Sequence, residues 1–526
     1  MPARLLAALV ALPLAAFSGR GSDAASFRWA SDGDVNSMDP YGRSETFLLT
    51  FLQNIYDPLV RRGPHLELEP ALATSWEQRS PKLWRFKLRP NVRFQDGTPF
   101  TADDVVFSYH RASSPISQLR PWFANVTAVR KVDALTVDFE TRVPDPVFVE
   151  GLTFWVIMSK AWCEAHGASE PADLARSDEN YATRHANGTG PFRLSGREPD
   201  RRTTLTNNPD WWDTPQHNLT DVEFDVIGNA STRVAALLTG DVAMIYSVPP
   251  QYMERLDQTP GVRLIKGPEL RTIFLGFDEA RDVLLHSDVP DRNPFKDRRV
   301  RQAFNEAIDI AAIHERIMRG QSHPTGLLYG PGVYGYTPQS DIRWPYDPAH
   351  ARQLMADAGY KDGFGVTLDC PNDRYVDDEA ICRSLAPMLA RIGVRLTLNI
   401  QPRMQYFARI SGPAYMSSFF MLGWLPNTYD AYSALYNLAG SRDGTRGVFN
   451  DGGYSNPAFD ALLDRILVDQ DPAARQAEII AASRILHEDA AFVPLHQQEI
   501  VWAARDTIEL VQLADNSFPL RLVRVK

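Results

Sequence analysis

From Trp84 to Ser108 the chain reads WRFKLRPNVRFQDGTPFTADDVVFS, and two periodicities in succession limit what this stretch can become. Trp84, Phe86 and Leu88 alternate with Arg85, Lys87 and Arg89, the period of two that places apolar side chains on one face of a strand. Pro90-Asn91 interrupts the pattern, Val92 and Phe94 restart it, and Asp96-Gly97 turns the chain. Thr101 with Asp104 three residues on is the pattern of a capping box, opening a helix with Val105, Val106 and Tyr109 inward. The stretch therefore predicts a hairpin followed by a capped helix.

Similar signals recur along all 526 residues, too many for one compact core, so two or three domains are expected. Ser231 precedes the apolar stripe Val234, Leu237 and Leu238 and is answered by Gly240. Asp347-Pro348 opens a helix with Leu354 and Met355 inward, closed by Gly359, and Asn456-Pro457 repeats the device before Phe459, Leu462, Leu463 and Ile466. Val300, Phe304, Ala307, Ile308 and Ala311 predict one further helix running to Gly320. Strands and helices alternate throughout, the pattern of an α/β fold.

Residues 1–25 form a separate unit. Arg4 supplies a positive start, Leu5 to Phe17 an apolar run broken by Pro13, and Ser22, Ala24 and Ala25 small residues for cleavage. This is the build of a signal peptide, too short to span a bilayer. No cysteine follows before Cys163, so a lipid-modified amino terminus is not expected. The formal charge of −10, without a long basic block, argues against a nucleic-acid partner. There is no G-x-S-x-G elbow and no H-E-x-x-H, which removes the most recognisable signatures of a secreted hydrolase but leaves a scattered triad open. Gly330 to Gly335 formally fits G-x-G-x-x-G, yet Pro331 makes it a Gly-Pro loop, and the histidines are mostly isolated.

The Trp84–Ser108 string resembles the hallmark of the family-5 extracytoplasmic solute-binding proteins of dipeptide, oligopeptide and nickel ABC importers. Ordered matches continue through Ser37-Met38-Asp39-Pro40, Tyr56-Asp57-Pro58-Leu59-Val60, Gly188-Thr189-Gly190-Pro191-Phe192, Arg301-Gln302-Ala303-Phe304, Gly423-Trp424 and Tyr454-Ser455-Asn456-Pro457. The resemblance implies a two-lobed periplasmic binding protein fold of type II, cluster C-like, with an additional inserted domain. Mapped here, the first lobe takes 26–58, 184–275 and 498–526, the inserted domain 59–183 and the second lobe 276–497, with crossings near Leu270–Asp278 and Pro494–Glu499. It implies a periplasmic, monomeric receptor that performs no bond chemistry, needs no cofactor or metal, and hands a peptide or peptide-like solute to inner-membrane ABC permease subunits. An opine, a phosphorylated sugar conjugate or a nickel chelate remains the alternative cargo. In an oxidising compartment Cys370 and Cys382, twelve apart, are expected to pair, leaving Cys163 as a buried thiol.

The same resemblance points to first-lobe ligand contacts at Tyr41, Ser44, Glu45 and Thr46, where Ser44 also reads as a simple helix cap. In the second lobe Trp424, at a strand end after a glycine, is expected to line the cleft. Peptide receptors of the family carry an aspartate three residues after this tryptophan to neutralise the peptide ammonium. Here Asn427 stands in its place, with Asp430 as a replacement if the loop folds back. Pro371-Asn372-Asp373-Arg374-Tyr375 offers a guanidinium at a helix start, suited to clamping a carboxylate or phosphate. Arg403 and Tyr406 complete the candidates.

Overall fold

The computed structural model describes residues 25–174, 176, 178–411 and 415–526; the leader expected over residues 1–25 lies, Ala25 apart, outside the described residues. Strands and helices alternate, and most strands join one mixed sheet of eleven. At its middle two long strands, Val262–Phe277 and Phe492–Arg505, pair antiparallel. On one side the sheet continues through Met244–Ile245, Ala25–Ser31, Leu219–Val226, Arg202–Asn207 and Phe192–Glu198. On the other it continues through Phe419–Trp424, Gly365–Pro371 and Arg395–Gln401.

The two halves thus share only the central pair, and that pair is irregular where they meet. Its ladder slips between Pro268 and Thr272 and again between Ile273 and Phe274, the signature of bulges, which bend a strand and raise its twist. Separate cores flank this point. Trp29, Phe224 and Trp502 belong to one buried cluster, Phe277, Phe304 and Phe419 to another.

A second, four-stranded antiparallel sheet follows the order Ala73–Ser80, Leu83–Leu88, Thr136–Thr141, Val126–Asp133, with helix Ala102–Ala112 beside it. Phe86 and Leu88 are buried and Lys87 exposed, as the alternation predicts. Its core, including Phe86, Phe139 and Trp155, is continuous with that around Trp29. The join also carries a fully buried ion pair: Arg111 donates from both terminal nitrogens to Asp39, at 2.7 and 2.6 Å, and Asp39 further accepts the N–H of Tyr41 and Ala172.

Several local readings need correction. Val92 and Phe94 are buried but form no strand: Phe94 N–H donates to Thr98 O at 2.8 Å, closing a tight turn with only the Arg93–Pro99 bridge. Both edges of Leu83–Leu88 are already taken, so no second hairpin arm could pair there. The single helix expected from Val300 to Gly320 breaks at Ile308, because Asp309 caps a new turn by accepting Ala312 N–H. Asn229, one residue outside helix Ala230–Thr239, takes the capping role expected of Ser231. The Thr101–Asp104 box and the caps at Asp347 and Asn456 form as predicted.

His496 lies on the returning strand beside the second slip, fully buried, and neither ring nitrogen has a hydrogen-bond partner among the described residues. Burial, reinforced by Arg343 and His314, lowers its pKa to about 3. Below the unfolded value of about 6.5 the unfolded chain takes up a proton that the folded one refuses, so this residue costs stability as pH falls, by about 1.4 kcal/mol per unit. His496→Leu should therefore be less acid-sensitive than wild type between about pH 6.5 and 4.5, read as the urea midpoint at each pH. An unchanged slope would show that His496 does not titrate on unfolding.

Candidate functional site

A cavity of about 430 Å³ opens between the two halves of the large sheet. One wall comes from the Ala25–Ser31 side: Asp32, Gly33, Thr46, Phe47 and Tyr246. The other is the segment Asn372–Ala380 with Arg383 and Arg403, while Arg271 and Gln498 of the central strand pair form its floor. Its volume falls within the range of sites for small organic ligands, roughly 300–1,000 Å³.

Local chemistry explains each wall. Helix Thr46–Leu52 is capped by Glu45, whose Oε2 accepts Leu48 N–H at 2.9 Å; Ser44, the expected cap, instead donates its backbone N–H to Gln118 Oε1 and stands outside the cavity wall. Thr46, at the first helical position, faces the cavity. Opposite, strand Gly365–Pro371 ends and helix Asp378–Ala390 begins, and the connecting residues fold over the Asp378 carboxylate. That carboxylate accepts the N–H groups of Arg374, Tyr375 and Glu379 at 2.8–3.0 Å. Burial nonetheless outweighs these bonds and pushes Asp378 up to about 6.

Two contacts bridge the walls. Arg374 meets Glu45 at 3.2 Å, and Arg403 donates to the carbonyl of Asp34 at 2.9 Å. Arg403 approaches so closely because position 33 is glycine: a Cβ there would lie 2.3 Å from its Nη2. Burial alone would raise the Glu45 carboxyl, but Arg374 and then Arg403 override it and hold it below the ordinary carboxylate range. Arg374 keeps its Nε buried in the wall without a hydrogen-bond partner among the described residues, and the Tyr375 hydroxyl lies buried beside the backbone of Gly423. On the floor, Arg271 pairs with the buried Glu269 at 3.0 Å and reaches Thr46 at 3.3 Å, while Gln498 and Asn516 also donate to Glu269.

Of the residues expected from sequence, Thr46, Asn372, Arg374 and Tyr375 are brought together here, along with Arg403. Others are not. Tyr41 is fully buried with its hydroxyl donating to Val156 O at 2.6 Å, and Tyr406 is fully buried with its hydroxyl on Met421 O. Asp430 cannot take over from Asn427: it caps the next helix at Tyr432 N–H and forms a buried two-pronged pair with Arg475. Asn427 accepts Ser433 Oγ at 3.0 Å, and Trp424 packs half-buried against Phe449, both outside the wall of this cavity. Arg271 and Gln498 escaped the sequence reading. Their signal was a set of polar residues, Glu269, Arg271 and Thr272 with Gln497-Gln498, buried in the middle of two long strands.

The glycine before Trp424 serves a different neighbour from the one expected. A Cβ on Gly423 would lie 2.6 Å from Cε1 of Tyr375 and 2.8 Å from Ile273, so glycine is what lets the Tyr375 ring lie against the strand. Gly423→Ala should displace Tyr375 from the cavity wall and weaken solute binding on the order of tenfold, the equivalent of a mild overpacking cost. Calorimetric affinities equal to wild type would show that Tyr375 takes no part in binding.

Among the described residues no cluster of three or more metal-ligating side chains exists and no helix is long and apolar enough to cross a membrane. A family model described as bacterial extracellular solute-binding proteins, family 5 Middle, matches residues 67–446. The chain is 26% identical over 483 residues to the glutathione-binding protein GsiB of Escherichia coli O1:K1 / APEC, covering 90% of this chain and 89% of that one. Among solved structures it resembles the periplasmic binding protein DppA from Helicobacter pylori in complex with the peptide STSA, with a TM-score of 0.82, 24% identity, and 95% and 98% of the two chains covered. It resembles equally AgaA from A. tumefaciens R10 in complex with agropinic acid, with a TM-score of 0.83, 22% identity, and 95% and 100% covered.

Proposed function

From the premise that this chain belongs to the bacterial extracellular solute-binding proteins of family 5, we propose that it captures a small peptide or peptide-like solute in the cavity between its two lobes and delivers it to an ABC permease. The observation that carries this reading is the Arg374 side chain: buried in the wall between the lobes, held by one carboxylate from the opposite side, and with a donor, Nε, that has no hydrogen-bond partner among the described residues. A carboxylate on the solute, received by Arg374 and flanked by Tyr375, Asn372 and Thr46, would draw both walls together. A ligand that binds both lobes stabilises the closed form by its differential affinity for it. The irregular pair at Pro268–Thr272 and Gln497–Glu499 is the hinge in this account, since a few residues suffice to absorb such a rotation. The protein works in the periplasm as a monomer, and the lobe boundaries are those mapped from sequence.

Recognition runs through the solute's carboxylate and not through an ammonium held at position 427. Asn427 is neutral and Asp430 is committed to Arg475. That same observation favours a second reading, an opine-like solute without a free peptide amino terminus. A thermal-shift panel of di- and tripeptides, their carboxyl-amidated forms and opines tests both. Saturation at about 100 times Kd should add about 2.7 kcal/mol of stability. The peptide reading expects free-acid peptides to shift the midpoint and amidated ones not to; an opine-only response selects the second reading, and shifts that ignore amidation contradict both.

A further inference from the structure

Nine consecutive residues, Asn372 to Ala380, line the cavity. The Cys370–Cys382 disulfide closes around that run with one residue to spare at each end, Pro371 and Ile381. Cys370 is the penultimate residue of strand Gly365–Pro371 and Cys382 lies in the second turn of helix Asp378–Ala390; both are fully buried.

Little else holds the run in shape. Tyr375 is its one buried apolar side chain, with Val376 partly buried. Its side-chain ties are the three N–H bonds to Asp378, the bond from Arg403 N–H to Asp373 at 2.6 Å, the Arg374–Glu45 pair across the cavity and the exposed Arg383–Glu379 pair, and its helical end adds the backbone bonds from Asp378 N–H to Tyr375 O and from Ile381 N–H to Asp377 O. Asp377 also sits at φ 51°, a left-handed conformation that a non-glycine residue seldom adopts. Freed at one end, such a segment has many alternatives to the one conformation that points Arg374 and Tyr375 into the cavity. The surrounding lobe has wider support, because Phe277, Phe304, Leu385 and Leu389 belong to an extended buried core of which Cys370 and Cys382 are only one edge.

We propose that the Cys370–Cys382 disulfide is a positioning element for solute capture, holding Asn372–Ala380 in its binding geometry beyond any contribution to the lobe's stability. This rests on the reading of the cavity as the solute site. A bond that closes a loop removes alternatives from it, and here the alternatives removed are those of the binding wall itself.

The test compares wild type, Cys370→Ala/Cys382→Ala, the space-filling Cys370→Val/Cys382→Ala, and Leu389→Ala as a core variant of the same helix remote from the wall. Amide hydrogen exchange is measured without ligand, and calorimetric affinity is measured for S-methylglutathione and a dipeptide series. The expected result is faster exchange confined to residues 371–378 and affinity at least about tenfold weaker in both cysteine variants, while Leu389→Ala loses thermal midpoint with affinity within about twofold. Unchanged exchange across 371–378 in whichever cysteine variant folds, or unchanged affinity despite faster exchange, overturns the proposal. If no probe binds wild type, the peptide reading of the cavity falls, and the exchange result alone decides whether the disulfide fixes the wall.

Discussion

Replacing Arg111 by methionine is expected to cost about 3–5 kcal/mol of folding stability, because it strands the fully buried Asp39 carboxylate without its counter-charge. Three of Asp39's acceptor bonds, from the N–H groups of Tyr41 and Ala172 and, at 3.4 Å, from Asn180 Nδ2, would remain, and they do not offset a buried unpaired charge. Arg111 also ties in the carbonyls of Ala168 and Glu170, so the whole junction between helix Ala102–Ala112 and the Ser37–Tyr41 segment is exposed to the change. Burial would by itself raise Asp39; Arg111 more than reverses this and holds it below the ordinary carboxylate range. A depressed carboxylate gives stability that is present above the unfolded value of about 3.9 and is lost as pH falls through the folded one. Acid unfolding of wild type should therefore include this pair. The double variant Asp39→Leu/Arg111→Met should recover much of the loss, since an apolar replacement removes the uncompensated charge. Equilibrium urea unfolding of the three proteins checks this: a single variant within 1 kcal/mol of wild type, roughly the worth of an exposed pair, would show that the pair is not buried in solution.

The second large effect concerns binding. Arg374→Met should weaken capture of a carboxylate-bearing solute about ten- to hundredfold, the loss of a charge-assisted hydrogen bond worth roughly 1.5–3 kcal/mol. The change also removes the counter-charge nearest the largely buried Glu45, which keeps the Leu48 N–H and the charge of Arg403, so the free protein should lose some stability while retaining its secondary structure. Salt separates this outcome from a general electrostatic effect: a buried guanidinium–carboxylate contact is screened weakly, whereas surface attraction fades with ionic strength. Calorimetric affinities equal to wild type at two salt concentrations would remove Arg374 from the site.

Much of this arrangement is legible in the chain because local signals and tertiary structure agree. The Thr101–Asp104 capping box, the Asp347 and Asn456 caps and the alternation of Leu83–Leu88 all declare themselves within a few residues. The position of Arg374 in the cavity wall is legible for the same reason: a guanidinium in a polar stretch between a strand end and a helix start stands at the end of the sheet, where a cleft can form. The expected residues that stand outside the cavity wall depend on partners far away in the chain. Tyr41 turns inward to meet Val156, and Arg475 claims Asp430 from 45 positions downstream. A polar aromatic or a lone acid looks the same in sequence whether it faces a ligand or a distant backbone carbonyl. Arg271 and Gln498 are hidden for the opposite reason. They stand on long strands of mixed pattern, and it is the pairing of those strands, with its slip at Pro268–Thr272, that brings both residues to the cavity floor.

Native mass spectrometry of the protein purified without unfolding tests the central claim most directly, run side by side on wild type and Arg374→Met. The account predicts that wild type carries one small carboxylate-bearing solute per chain, released on denaturation with its mass unaltered, and that Arg374→Met carries much less of it. Equal retention by both proteins, or release of a chemically changed compound, would contradict a receptor that closes two lobes on its cargo through Arg374.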